Sequence, residues 1–188
     1  APERVLTVWR IAFFLGTVLL SGGDPVTVCC GTHSAVFPAG SASASALSAF
    51  LMKSFHTPAE KSLFPLRLPA GPHCWVVSDF LEPEGLVRLE RHLKHSVGFT
   101  PLRIRNREEE LNPGAYSGFR LIDSESGTEV AVSSDCVARY MERLEQFDSL
   151  LMRFAARNGG GYQVFDCTLS VPELIQLCRT KLCPEVSE

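Results

Sequence analysis

Cys74-Trp75-Val76-Val77-Ser78-Asp79-Phe80-Leu81-Glu82-Pro83-Glu84 is an apolar run that ends in Ser-Asp and passes at once into the start of a helix. A short run rich in β-branched and aromatic residues reads as a buried strand of a parallel sheet. Pro83 suits the first turn of a helix, where its missing N–H costs nothing. Glu82 and Glu84 favour the positive end of the helix dipole. The stretch therefore places Asp79 at the carboxyl end of a central strand, facing the crevice where open α/β sheets bind ligands. Asp79 is the first candidate for a functional side chain.

The same reading extends outward in both directions. Val26 to Cys30 is a strand, with Val36-Phe37 as a short partner after a turn. Ser43 is placed to cap a helix running to about Phe55. Pro58 to Pro72 reads as a short helix with a proline-rich exit. The helix from Pro83 to about His95 carries Leu86, Leu89 and Leu93 on its core stripe. Phe99 to Ile104 is the next strand, and Asn106 to Gly118 is polar and turn-rich. Phe119–Asp123 and Thr128–Val132 flank a Gly-containing turn and read as a β-hairpin. From Ser134 to Arg157, Val137, Tyr140, Met141, Leu144, Phe147, Leu151 and Phe154 recur at helical spacing. Ser133 or Ser134 caps that helix, Asn158-Gly159-Gly160-Gly161 ends it, and Tyr140, Met141 and Phe147 belong to the core. Tyr162–Phe165 is the last strand and Val171–Leu182 the last helix. This alternation predicts a Rossmann-like α/β fold over residues 1–188: a doubly wound, mostly parallel sheet with a hairpin insertion. The strand ending at Asp79 is expected at its centre, parallel to both Val26–Cys30 and Phe99–Ile104.

Apolar residues make up 45% of the 188-residue chain and charged ones 21%, ordinary values for a globular domain. A net charge of −3 argues against a dedicated nucleic-acid binder. Arg103, Arg105 and Arg107 run straight into Glu108-Glu109-Glu110, mixed charge that reads as a solvated edge. The seven cysteines are odd in number and show no framework spacing, which fits a reduced cytosolic setting. Cys29, Cys30, His33, His73 and Cys74 match no structural zinc spacing, and Cys29 and Cys74 read as small apolar fillers of strands. The apolar run Ile11 to Leu20, preceded by Arg4 and Arg10, is too short to span a membrane, which takes about 20 residues. Followed by a turn into a strand, it reads as a buried helix from Arg4 to Leu20 stopped by Gly22-Gly23. The alternative is a signal peptide over residues 1–23 and a secreted protein.

No phosphate-binding glycine loop, nucleophile elbow or zinc-protease motif occurs in the chain. His92 and His95 lie in a charged helix, and His33 and His56 in loops. Asp79, beside Ser78, is suited to capping the next helix, to acting as a base, or to holding a divalent cation. A hard cation needs several more oxygens, and Thr57 in Phe55-His56-Thr57-Pro58 is a candidate for one.

Ser78-Asp79-Phe80-Leu81-Glu82-Pro83 after an apolar strand resembles the bacterial family known as domain of unknown function fifty-eight, a von Willebrand factor A-like (vWA) fold. Gly23-Asp24-Pro25-Val26 is similar to that family's Gly-Asp-x-Val. Leu102-Arg103-Ile104-Arg105, followed by Glu109-Glu110-Leu111, resembles its strand leading into an acidic loop. Asp123 to Gly127 resembles its hairpin, Arg139-Tyr140 opens a similar long helix, and Tyr162 to Thr168 resembles its last strand. Asn106-Arg107 departs from the Asp-Pro of the family. The resemblance implies a metal-ion-dependent adhesion site in which Thr57 and Asp79 are metal ligands. Its Asp-x-Ser-x-Ser is absent from the chain, which implies that the sequence starts just after the strand bearing that motif, or that the motif is lost. Mg²⁺ or Mn²⁺ is then expected to bind weakly, through an incomplete shell.

The functional expectation is a non-enzymatic, cytoplasmic protein-interaction module. The resemblance implies a MoxR-type AAA+ ATPase as partner, in the assembly or activation of other proteins, and an acidic residue as the ligand completing the metal shell. No nucleic acid and no membrane span belong to this reading. The rival is a Rossmann-like hydrolase using Asp79 as base or metal ligand.

Overall fold

In the computed structural model, which describes residues 2–31, 33–56, 73–81, 89, 98–122 and 127–182, the chain opens with helix α1 (Pro2–Ser21). It stops where the two glycines stand. The N–H groups of Gly22 and Asp24 return to the carbonyls of Val18 and Leu19, and Gly23 adopts a φ of 95°. By length and composition alone Glu3–Ser21 is long and apolar enough to cross a membrane, a criterion that a core helix or a signal sequence also meets. Here Ile11, Leu15 and Leu20 of this helix are buried against the rest of the chain.

Strands β1 (Val26–Cys30) and β2 (His33–Phe37) form an antiparallel hairpin in register from Val26↔Phe37 to Cys30↔His33. A 3₁₀ turn at Ser41–Ser43 leads into α2 (Ala44–His56). Ser43, expected to cap α2, lies in that turn and donates its hydroxyl hydrogen to the Pro38 carbonyl at 2.7 Å.

The parallel sheet contains β3 (His73–Ser78), β4 (Gly98–Arg105) and β7 (Gln163–Asp166), in the order β3-β4-β7. This corrects the expectation that the strand leading to Asp79 is central. Among the described residues β4 is the middle strand and β3 an edge, and β1 pairs with β2 instead of β3. The reason is that helices cover both faces of β3 as well as β4, so an apolar run does not separate edge from centre. Burial does: β4 is buried from Gly98 to Ile104, whereas β3 is half-buried along its length. Pro101 is tolerated in the middle strand because pairing with β7 begins one residue later, at Leu102↔Gln163.

The turn-rich segment contains a short helix, α3 (Arg107–Leu111), and a 3₁₀ turn at Pro113–Tyr116. The hairpin β5 (Arg120–Ile122) and β6 (Glu129–Ala131) follows as expected, with Gly127 at φ 70° on its turn side. Helix α4 (Ser134–Arg157) has the expected bounds. The Ser133 hydroxyl accepts from the Cys136 N–H at 3.2 Å. Gly159 (φ 69°) ends the helix. A Cβ on Gly160 would lie 1.7 Å from the Phe99 carbonyl oxygen, so only glycine fits there. Leu144, Leu151 and Ala155 are the buried residues of the stripe, but Tyr140 is 39% exposed and not core. Its hydroxyl keeps the ring at the boundary with water. Helix α5 (Val171–Leu182) closes the described chain.

Alternation along β3 and β4 sorts the core. On one face, Trp75, Val77, Leu102 and Ile104 pack against Ile11 and Leu15 of α1, Phe165, and Leu174 and Cys178 of α5. On the other, Cys74, Val76 and Phe99 pack against Leu151 and Ala155 of α4, with Phe80 and Leu89. Leu20, Phe37, Leu47 and Leu51 fasten the β1–β2 hairpin and α2 to α1. The protein is thus mixed α/β, with a three-strand parallel sheet flanked by helices. The short helix expected over 58–72, and the helix expected over 83–95 apart from Leu89, lie outside the described residues.

Candidate functional site

Strand β3 delivers Ser78 and Asp79 to the carboxyl end of the parallel sheet, as the sequence predicts. There the chain turns sharply. The Ser78 hydroxyl accepts from the Phe80 N–H at 3.0 Å, and Asp79 Oδ1 accepts from the Leu81 N–H at 3.3 Å. Phe80 holds a φ of 58°, a left-handed conformation unusual for an aromatic residue. Burial of its ring beside Phe99 and Leu151 holds it there. Asp79 therefore braces its own turn, and its side chain is 42% exposed.

Its other oxygen faces Arg4 of α1. Oδ2 lies 3.8 Å from Arg4 Nη1, while Arg4 Nη2 lies 2.8 Å from Glu109 Oε2 and 3.8 Å from Glu110 Oε1. Asn106 presents the two glutamates by capping α3, its side chain accepting from the N–H groups of Glu108 and Glu109. At the end of β7, Asp166 Oδ1 accepts from the Thr168 hydroxyl at 2.8 Å and its N–H at 3.0 Å.

Beneath this rim lies the largest departure from the sequence reading. Arg103 is fully buried and not part of a solvated edge. It sits mid-strand on β4, on the face that α4 covers. Nη2 meets Glu110 Oε2 at 2.6 Å, Nη1 meets Asp148 Oδ1 at 2.6 Å, and the guanidinium lies over the Phe147 ring. The Tyr162 hydroxyl also donates to Asp148. Burial alone would lower the pKa of Arg103, but Glu110 and Asp148 outweigh it and hold the proton more tightly than usual. Burial raises the pKa of Glu110 against the pull of Arg103, Arg4 and Arg105. Burial and the bond to Asp148 raise that of Tyr162. One signal for this network was present in the sequence: an arginine inside the apolar run Phe99–Ile104 must find a carboxylate. Nothing in the sequence spacing picks out Glu110, Asp148 or Arg4 as its company.

Thr57, the second expected metal ligand, lies outside the described residues. Among the described residues no three His, Cys, Asp or Glu side chains are grouped to hold a metal ion. Cys29, Cys30 and Cys74 are half-buried, and burial raises all three thiols, Cys74 to about 11. They sit in the strands as neutral, weakly polar fillers.

No family model matches the chain, and no curated protein or solved structure matches it either.

Proposed function

We propose that the chain is a non-enzymatic protein-interaction module of vWA-like, Rossmann-like type that works with a MoxR-type AAA+ ATPase. The observation that carries the reading is the β5–β6 hairpin. Phe119 is 62% and Ile122 66% exposed, and Leu121 and Val130, paired across the hairpin, are exposed too. Exposed apolar residues on a two-stranded hairpin mark a surface that a partner covers. The order of motifs along the chain supports the vWA-like assignment, and the three-strand parallel sheet is compatible with it.

Against the hydrolase alternative, Asp79 is committed to its own turn and to Arg4. The described hydroxyl–imidazole pair, Thr100 Oγ1 with His73 Nε2 at 2.9 Å, lies at the amino end of the strands. Asp79 follows His73 by six residue steps along the strand, about 20 Å. The test is direct binding of the purified chain to the MoxR-type ATPase of its own genome, with and without ATP. The expected result is saturable binding that Ile122→Lys and Phe119→Lys weaken at least tenfold while the melting temperature is kept. No binding at tens of micromolar, or binding indifferent to both variants, would overturn the reading.

A further inference from the structure

Between α1 and α5 lies a cavity of about 330 Å³. Trp9, Phe13, Phe14 and Val18 line it from α1, and Leu174 and Ile175 from α5. With Arg10 and Thr17, the α1 positions form two neighbouring rows at a spacing of four, 9-13-17 and 10-14-18. Ile175 is 44% exposed, so the cavity opens to water along α5. Both helices run in the same direction. α1 starts with Arg4 beside Asp79, at the carboxyl end of the parallel sheet, and α5 starts at Val171, shortly after β7 leaves that same end at Asp166. Trp9 and Arg10 therefore stand at one end of the cavity and Thr17 and Val18 at the other, about 12 Å along the helix.

Polar atoms are few on this lining, and two of them are orphaned. Trp9 Nε1 and Thr17 Oγ1 are buried and have no hydrogen-bond partner. A buried donor left unpaired is costly, and the indole N–H can only donate. Among the described residues no carboxylate pairs with Arg10. An N–H donor and a cation on adjacent residues, at one end of an apolar cavity, suit an anionic acceptor that carries an apolar body. Size rules out a partner helix as that body. One helical turn, about 5.4 Å long and 10–12 Å across with its side chains, occupies roughly 400–600 Å³, more than the whole cavity. A single unbranched chain fits. We propose that the cavity binds a medium-chain alkyl carboxylate. Its carboxylate meets Arg10 and the Trp9 N–H, and its chain lies between α1 and α5, running toward Thr17 and Cys178. Decanoate has a chain of matching length.

The site is independent of the proposed function and is tested on the 188-residue chain with sodium decanoate below its micelle concentration. Calorimetry should show saturable one-to-one binding at tens of micromolar, with decan-1-ol at least tenfold weaker. Arg10→Gln should weaken decanoate at least tenfold and leave decan-1-ol unchanged. In proton NMR the Trp9 indole N–H resonance should move downfield as decanoate binds, while that of Trp75 stays in place. Val18→Trp and Ile175→Trp fill the cavity from either helix, and whichever of them folds should no longer bind. No saturable binding, equal affinity for the acid and the alcohol, an unmoved Trp9 resonance, or full affinity in a folded cavity-filling variant would overturn the proposal. So would adsorption to phosphatidylcholine vesicles without binding of monomeric decanoate, which would assign this face to a lipid surface.

Discussion

Arg103 and Asp148 meet at 2.6 Å although 45 residues separate them, one on the middle strand and the other on the long helix. This pair ties the sheet to α4, beside the bond from the Tyr162 hydroxyl to the same carboxylate. Breaking a buried pair leaves a charge without its partner, which typically costs 3–5 kcal/mol. Because Glu110 still holds the guanidinium, Asp148→Ala should fall near the lower end, about 3 kcal/mol. Arg103→Met should cost more, since it strands the buried Glu110. Urea denaturation of the two variants checks the order, and an Arg103→Met protein as stable as the parent would refute it.

On α4, Leu144 is buried and Glu145 faces water. Leu144→Asp should unfold the protein or lower its melting temperature severely, because it places an unpaired carboxylate in the core. Glu142→Ala and Glu145→Ala should stay within roughly 0.5 kcal/mol of the parent. Equal losses in thermal melts would mean that the stripe has been assigned to the wrong face.

Asp79 offers a cation one exposed carboxylate, already shared with Arg4 and its own turn. Calorimetric titration with Mg²⁺ or Mn²⁺ should show millimolar binding or none, since a hard cation needs a fuller oxygen shell. Asp79→Ala should remove whatever binding there is and lower stability by about 1 kcal/mol through the lost turn bond. Micromolar affinity that survives Asp79→Ala would place the metal elsewhere.

Burial lowers the pKa of His73 from its ordinary 6.5. The unfolded chain then binds a proton at a pH where the folded one does not. Its contribution to stability is complete above the ordinary value and is lost as pH falls through the lower, folded one. Melting temperatures from pH 8 to 5 should drop more steeply for the parent than for His73→Gln. Parallel curves would show that the imidazole is not the group responsible.

Most elements were legible in the sequence because their signals are local. Gly22-Gly23, Ser133 and Asn158-Gly159 end or begin helices through backbone geometry that a few neighbouring residues decide. The stripe on α4 and the hairpin around Gly127 are equally short-range. Strand order was not legible, because the apolar run of β3 satisfies an edge covered on both faces as well as a centre. The rim of the candidate site was half legible. Asp79 followed from its place after a strand, but Arg4, Glu110, Asp148 and Tyr162 come from four separate elements that only folding brings together. Arg103 showed the limit most clearly: its burial depends on carboxylates 7 and 45 residues away.

The seating of α1 also bears on how the chain survives its own synthesis. Ile11 and Leu15 find their burial against Phe165 and Leu174, near the opposite end of the chain. A ribosome adding 5–20 residues per second releases this helix roughly 10 to 30 s before those residues emerge. Throughout that interval Ile11 and Leu15 lack the part of their cover that Phe165 and Leu174 supply, and an incompletely covered apolar helix is the kind of segment that holding chaperones bind. The protein's yield in a cell should therefore depend on what shields α1 until those residues have emerged, as well as on the stability of the finished fold.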